Sequence, residues 1–152
     1  MKRFRFTLEK VLRVRAHRTD EAKQRLAEAL LAEREAREAL RAAESSLAAF
    51  GAEWERQVGK RLTVMKWEAL NARHEALVQT RDEAVAETAA AEALTEQRRV
   101  ELAEARRQER ILETLQEHQW VAYQKEALAA EQAELDEIGQ HTRLVWKEAE
   151  SV

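Results

Sequence analysis

Residues 8–54, LEKVLRVRAHRTDEAKQRLAEALLAEREAREALRAAESSLAAFGAEW, decide the fold. Steps of four and three residues pick out Leu8, Leu12, Arg15, Thr19, Ala22, Leu26, Ala29, Glu33, Ala36, Leu40, Ala43, Leu47, Phe50 and Trp54, and eleven of these fourteen positions are apolar. An apolar stripe that recurs every 3.5 residues over seven heptads predicts a coiled coil, because left-handed supercoiling keeps such a stripe against a partner. A partner helix is therefore required. One side of the stripe is mostly alanine (Ala22, Ala29, Ala36, Ala43) and the other mostly leucine, so the partner can come close along the middle of this helix. The three polar positions, Arg15, Thr19 and Glu33, either fix the register or mark places where the seam is open.

The rest of the chain supplies the partner. Gly51 and Gly59 lie close together, and residues 58–64 hold the one local cluster of glycine and β-branched residues, which makes this the hinge. Thr63 is the expected N-cap of a second helix opening at Val64 to Trp67. Beyond it, Leu70, Leu77, Ala84, Ala91, Ala105 and Leu112 keep a seven-residue spacing interrupted by Arg98, with Leu94, Leu115 and Ala122 on the flanking position. Val121, Leu128, Leu135 and Ile138 continue on a shifted stripe, which predicts a phase change in the seam. Gly139 comes late enough to end or bend this helix. The expected fold class is all-α: two long helices forming an antiparallel coiled-coil hairpin, the C-terminal helix longer. A single domain is expected over 1–152, with helix 1 at about 5–57, the turn at about 58–64 and helix 2 at about 65–148. At a rise of about 1.5 Å per residue the first helix would span about 80 Å. The longer second helix would overhang the N-terminus and leave Leu144, Val145 and Trp146 to fray or dock elsewhere.

Composition agrees. Ala, Glu, Leu, Arg and Lys make up 98 of 152 residues, there is no Pro or Cys, and there are three Gly, so sheet folds have neither turn punctuation nor β-branched runs to work with. Without cysteine there is no disulfide framework and no thiolate metal site, which fits a reducing compartment such as the cytoplasm. No run of apolar residues approaches the length of a membrane span, and no apolar segment follows the basic start as a secretory signal would require. The isolated glycines form no phosphate-binding loop. His17, His74, His118 and His141 are far apart and lack metal-site spacing, and the many carboxylates sit on solvated helix faces, so neither a cofactor, a metal nor an enzymatic activity is expected.

The N-terminus stands apart electrostatically. Residues 1–18 contain Lys2, Arg3, Arg5, Lys10, Arg13, Arg15 and Arg18 against Glu9 alone, whereas the chain as a whole has a net charge of −3. Such a cluster suits an acidic protein surface, nucleic acid or anionic lipid, and its sign does not choose among them. Phe4, Phe6, Leu8, Val11, Leu12 and Val14 alternate with the cations, but Leu8 and Leu12 run into the heptad seam and are assigned to the hairpin.

The opening Phe4-Arg5-Phe6-Thr7-Leu8-Glu9-Lys10-Val11-Leu12-Arg13-Val14-Arg15 resembles the F-x-F-x-L-x-x-V-L-x-x-R signature of the FliJ family, small cytoplasmic proteins of flagellar type III export related to the YscO-type proteins of injectisomes. The resemblance implies a non-enzymatic two-helix coiled coil similar to the central stalk of rotary ATPases. Such a protein would promote assembly and activity of the hexameric flagellar export ATPase, reach the export gate protein FlhA and escort export chaperones. It would lie at the cytoplasmic face of the inner membrane through its partners only, without binding nucleic acid. For the ATPase it points to Arg3, Arg5, Lys10, Arg13, Arg15 and Arg18, with Phe4 and Phe6 as apolar anchors. For the gate it points to Leu47, Phe50, Trp54, Trp67, Leu70 and His74, the aromatic-rich group beside the hinge. Trp120, Tyr123 and Trp146 are either caps of the seam or further contacts. Two readings compete with this one: a stalk subunit of a V-type or A-type ATPase, and a basic-ended adaptor for nucleic acid or anionic membrane. A plain structural dimer is a third.

Overall fold

The computed structural model describes residues 3–151. It contains two helices, α1 (Glu9–Val58, 50 residues) and the longer α2 (Val64–Glu150, 87 residues), joined by residues 59–63. They form the antiparallel hairpin that the heptads predict. Helix α1 begins at Glu9 rather than near residue 5, because Thr7 and Leu8 form a turn in which Glu9 N–H donates to the Phe6 carbonyl at 3.3 Å. Helix α2 runs through Gly139. Among the described residues no helix is long and apolar enough to cross a membrane.

The chain divides into two compact units: Arg18–Ala105, which contains the hinge, and a terminal unit in which the residues up to His17 pack with those from Arg106 onward. In the hinge unit the α1 seam from Thr19 to Trp54 is buried or half-buried at every expected position. The polar positions do not mark openings. Thr19 is buried, and Glu33 is largely covered while its carboxylate pairs with Arg37 at 2.6 Å.

The facing stripe of α2 corrects the sequence reading. Leu70, Leu77, Ala84, Ala91, Arg98 and Ala105 do line the seam, but Leu94 on the expected flank is exposed, and the flank is instead Arg81, Thr88, Thr95 and Leu102. Thr88 and Thr95 reach across the interface, donating hydroxyl hydrogen bonds to the carbonyls of Ala36 at 3.2 Å and Ala29 at 3.3 Å. A side chain as short as threonine touches the backbone of the opposite helix only where nothing larger than a methyl group keeps the two apart. The alanine side of α1 thus gives the close approach that its sequence implies.

At the hinge, Lys60 N–H donates to the Gln57 carbonyl at 3.0 Å as α1 ends. Thr63 caps α2 as expected: its hydroxyl accepts from Lys66 N–H at 3.3 Å and its carbonyl from Trp67 N–H at 3.0 Å.

In the terminal unit the seam keeps its phase. Leu112, Gln116, Gln119, Tyr123 and Ala127 are half-buried, whereas Leu115, Val121 and Ala122 are exposed. The expected phase change toward Leu128, Leu135 and Ile138 does not occur, because every residue from Leu128 to Ser151 is exposed. That stretch is a helix without a partner.

Candidate docking sites

Beside the hinge, the spacing Leu47, Phe50, Trp54 puts three large apolar groups on successive turns of one α1 face. Phe50 is 3% exposed and is the centre of an aromatic group. His74 stacks on it with ring centroids 5.7 Å apart and planes at 27°, Trp54 lies 6.1 Å away, and Trp54 in turn meets Trp67 at 5.1 Å. The Arg73 guanidinium sits 5.5 Å from the Phe50 ring centroid and is held there by Glu53 at 3.3 Å, a cation–π contact fixed by an ion pair.

Leu47, Phe50, Trp54 and His74 line one open groove of about 380 Å³, together with Gly51 and Asn71. Gly51 lies inside a helix, where it costs about 1 kcal/mol relative to alanine. A Cβ there would meet no atom within 4 Å, so the missing side chain leaves one wall of the groove low. Of the other two residues expected on this surface, Trp67 joins through Trp54 and Leu70 lies apart, lining a smaller hollow of about 210 Å³ with Gln57, Leu62, Lys66 and Ala69. The residues that sequence reasoning missed are Gly51, Asn71, Arg73 and Glu53, which take their places only once the pairing of the helices is known.

The terminal unit holds the basic cluster. Phe4 packs edge-on against Trp120 at 5.0 Å and 72° and against Tyr123 at 5.4 Å, and those two rings stack on each other at 5.6 Å. Phe6 is buried. Phe4 therefore fastens the N-terminal segment to α2, and the buried Phe6 leaves little ring area exposed. Arg3, Arg5 and Lys10 are exposed, Arg13 pairs with Glu9 at 3.1 Å on the solvent side, and Arg15 turns into the seam to hydrogen-bond Gln108. Arg18, also exposed, belongs to the hinge unit. Lys2 lies outside the described residues. Trp120 and Tyr123 act as the seat of Phe4, while Trp146 is 68% exposed on the unpartnered part of α2.

Aromatic rings, guanidinium groups and an open apolar groove are binding chemistry. Among the described residues no group of three or more His, Cys, Asp or Glu could hold a metal.

The comparisons with known proteins agree with this fold. A family model described as "Flagellar FliJ protein" matches residues 4–147. Among solved structures the chain is similar to a protein of Chlamydia trachomatis described as a YscO homologue, with 22% sequence identity, 96% of this chain and 99% of that chain covered, and a TM-score of 0.71. Among curated proteins none matches significantly.

Proposed function

Because the chain belongs to the flagellar FliJ family of non-enzymatic type III export components, we propose that it is the central-stalk-like coiled coil of its export apparatus. In this reading it promotes assembly and activity of the export ATPase ring, links that ring to the export gate FlhA and escorts export chaperones. It works in the cytoplasm and reaches the inner membrane through the apparatus.

The observation that carries the reading is the division of labour within the N-terminal segment. Phe4 holds the segment on α2 and Phe6 is buried, while Arg3, Arg5 and Lys10 are left facing solvent. A fixed backbone presenting mobile cations suits a ring lined by acidic groups, where attraction does not depend on one fitted geometry. The groove of Leu47, Phe50, Trp54 and His74, with Trp67 beside it, is the surface assigned to the gate: the covered Phe50 forms its floor, and the half-buried Trp54 and exposed Trp67 and His74 are the rings a partner can reach.

The test is ATP hydrolysis by the cognate flagellar export ATPase, with and without this chain, at low and physiological salt and alongside a hexamer assay. Stimulation with ring formation is the expected result. Charge reversal by Lys10→Glu, Arg13→Glu and Arg18→Glu should abolish that stimulation and leave helicity intact, because these side chains are exposed. Arg15→Glu is left out of the set: its partner is Gln108 in the seam, so its reversal should lower the melting temperature. Stimulation that survives the triple reversal would sink the assignment of the basic cluster to the ATPase.

A further inference from the structure

The turn between the helices carries a surface that the hairpin does not use. From Arg56 to Trp67 there are four cations, Arg56, Lys60, Arg61 and Lys66, and no carboxylate, with Glu55 and Glu68 as the nearest acids on either side. Several other cations of the hinge unit are paired with acids: Arg37 with Glu33 and Glu92, Arg73 with Glu53, Arg98 with Glu101. Among the described residues, Lys60, Arg61 and Lys66 form no ion pair. The apolar side chains interleaved with them face outward. Val64 and Met65 are 74% and 76% exposed, and Val58 and Trp67 are exposed as well. Leu62 supplies the turn's own packing, half-buried over the hollow it shares with Gln57 and Leu70.

We propose that this tip binds an anionic lipid surface directly, with Val58, Val64 and Met65 entering the boundary between headgroups and acyl chains and Lys60, Arg61 and Lys66 lying among the phosphates. The inference is independent of the export reading, which brings the chain to the membrane through partners. Charge complementarity makes the occupant anionic, and the shape of the patch makes it a bilayer rather than an acidic protein face. The aliphatic groups stand out from a turn instead of lining a hollow that a partner's side chain could fill. Lysine and arginine stems can lie along the apolar boundary while their heads stay among the phosphates.

A cation near an anionic leaflet strengthens binding about fivefold, so three of them account for roughly 100-fold. With so small an apolar anchor the binding should be reversible and sensitive to salt. The experiment is flotation of the full chain with vesicles of phosphatidylcholine alone and with about one third phosphatidylglycerol, at low and high salt. Co-flotation with the mixed vesicles only, lost at high salt, is expected. Lys60→Gln/Arg61→Gln/Lys66→Gln should weaken it roughly 100-fold. Val64→Ser/Met65→Ser should weaken it with the charge unchanged, and circular dichroism should show both variants as helical as the parent. Lys10→Gln/Arg13→Gln, at the other basic cluster, should still float. The proposal is overturned if the parent chain does not float. It is equally overturned if the tip variants float like the parent while Lys10→Gln/Arg13→Gln does not, or if the tip cations are needed only for binding an acidic protein domain.

Discussion

Thr95 shows at the scale of one residue what an alanine seam permits. It is 1% exposed, yet its hydroxyl is satisfied by the Ala29 carbonyl of the facing helix. Thr88 shares its single hydroxyl hydrogen between the Ala36 carbonyl across the interface at 3.2 Å and the nearer Ala84 carbonyl of its own helix at 2.8 Å. Thr95→Val keeps the shape and removes the donor, which should cost about 1 kcal/mol. Ala29→Leu forces the helices apart and should cost about 1–3 kcal/mol by overpacking. Urea midpoints read both, and a Thr95→Val midpoint equal to the parent's would show that the cross-helix bond adds nothing. Glu101 offers a pH test. The hydrogen bond from Arg98 holds its carboxyl below the ordinary carboxylate value, against a smaller opposing effect of desolvation and with help from the Arg98 charge, Gln97 and Arg25. A carboxyl depressed in the folded state stabilises above its unfolded pKa, and that contribution fades as pH falls through the folded value. The melting temperature of Glu101→Gln should therefore fall short of the parent's at pH 7 by more than at pH 3. The same gap at both would place the effect in packing or helix propensity.

At the scale of the element, α1 was legible and half of α2 was not, for one physical reason. The α1 stripe is apolar, so the search for apolar periodicity finds it. On α2 the series Leu77, Ala84, Ala91 is legible as a stripe, but apolarity places its companion three residues on, at Leu94, whereas the structure uses the position four residues on, at Arg81, Thr88 and Thr95. Opposite alanines, a short side chain that bonds the backbone fits better than leucine, and hydropathy then points the wrong way. The same bias made Leu128, Leu135 and Ile138 look like a continuing seam, although they are exposed. Truncation before Glu131 should leave the melting temperature unchanged while the helical circular dichroism signal falls, because no described residue beyond Ala127 is even half-buried. Phe4→Ala, which strips Trp120 and Tyr123 of their contact, should instead cost about 2 kcal/mol. A lower melting temperature on truncation would mean that the last part of α2 packs on something in solution.

At the scale of the whole molecule, the two units are built with different chemistry. All the buried helix residues, Thr19, Ala22, Ala29, Ala43 and Phe50 on α1 and Ala84, Thr88 and Thr95 on α2, fall within Arg18–Ala105. The terminal unit relies on Phe6, on the rings of Phe4, Trp120 and Tyr123 and on the Arg15–Gln108 bond. This difference also explains how much of the candidate surfaces could be read beforehand. Phe50 and Trp54 are close in sequence and Trp67 follows just beyond the turn, so their grouping needed only the hinge position. Phe4 and Trp120 are more than a hundred residues apart, and their contact needed the full register. Local stability follows buried contact, and amide exchange reports it region by region. Exchange should be slowest around Ala29–Ala43 and Ala84–Thr95, faster in residues 9–17 and 106–127, and fastest in 128–150, where every described side chain is exposed. Those last amides have hydrogen-bonded partners within α2 but no packing to hold the bonds closed, so fraying alone should release them. Uniform protection along α2 would contradict the unequal burial of its two ends and would require a partner on the apolar stripe of Leu128, Leu135 and Ile138, which adding the export ATPase or a chaperone to the exchange experiment would then identify.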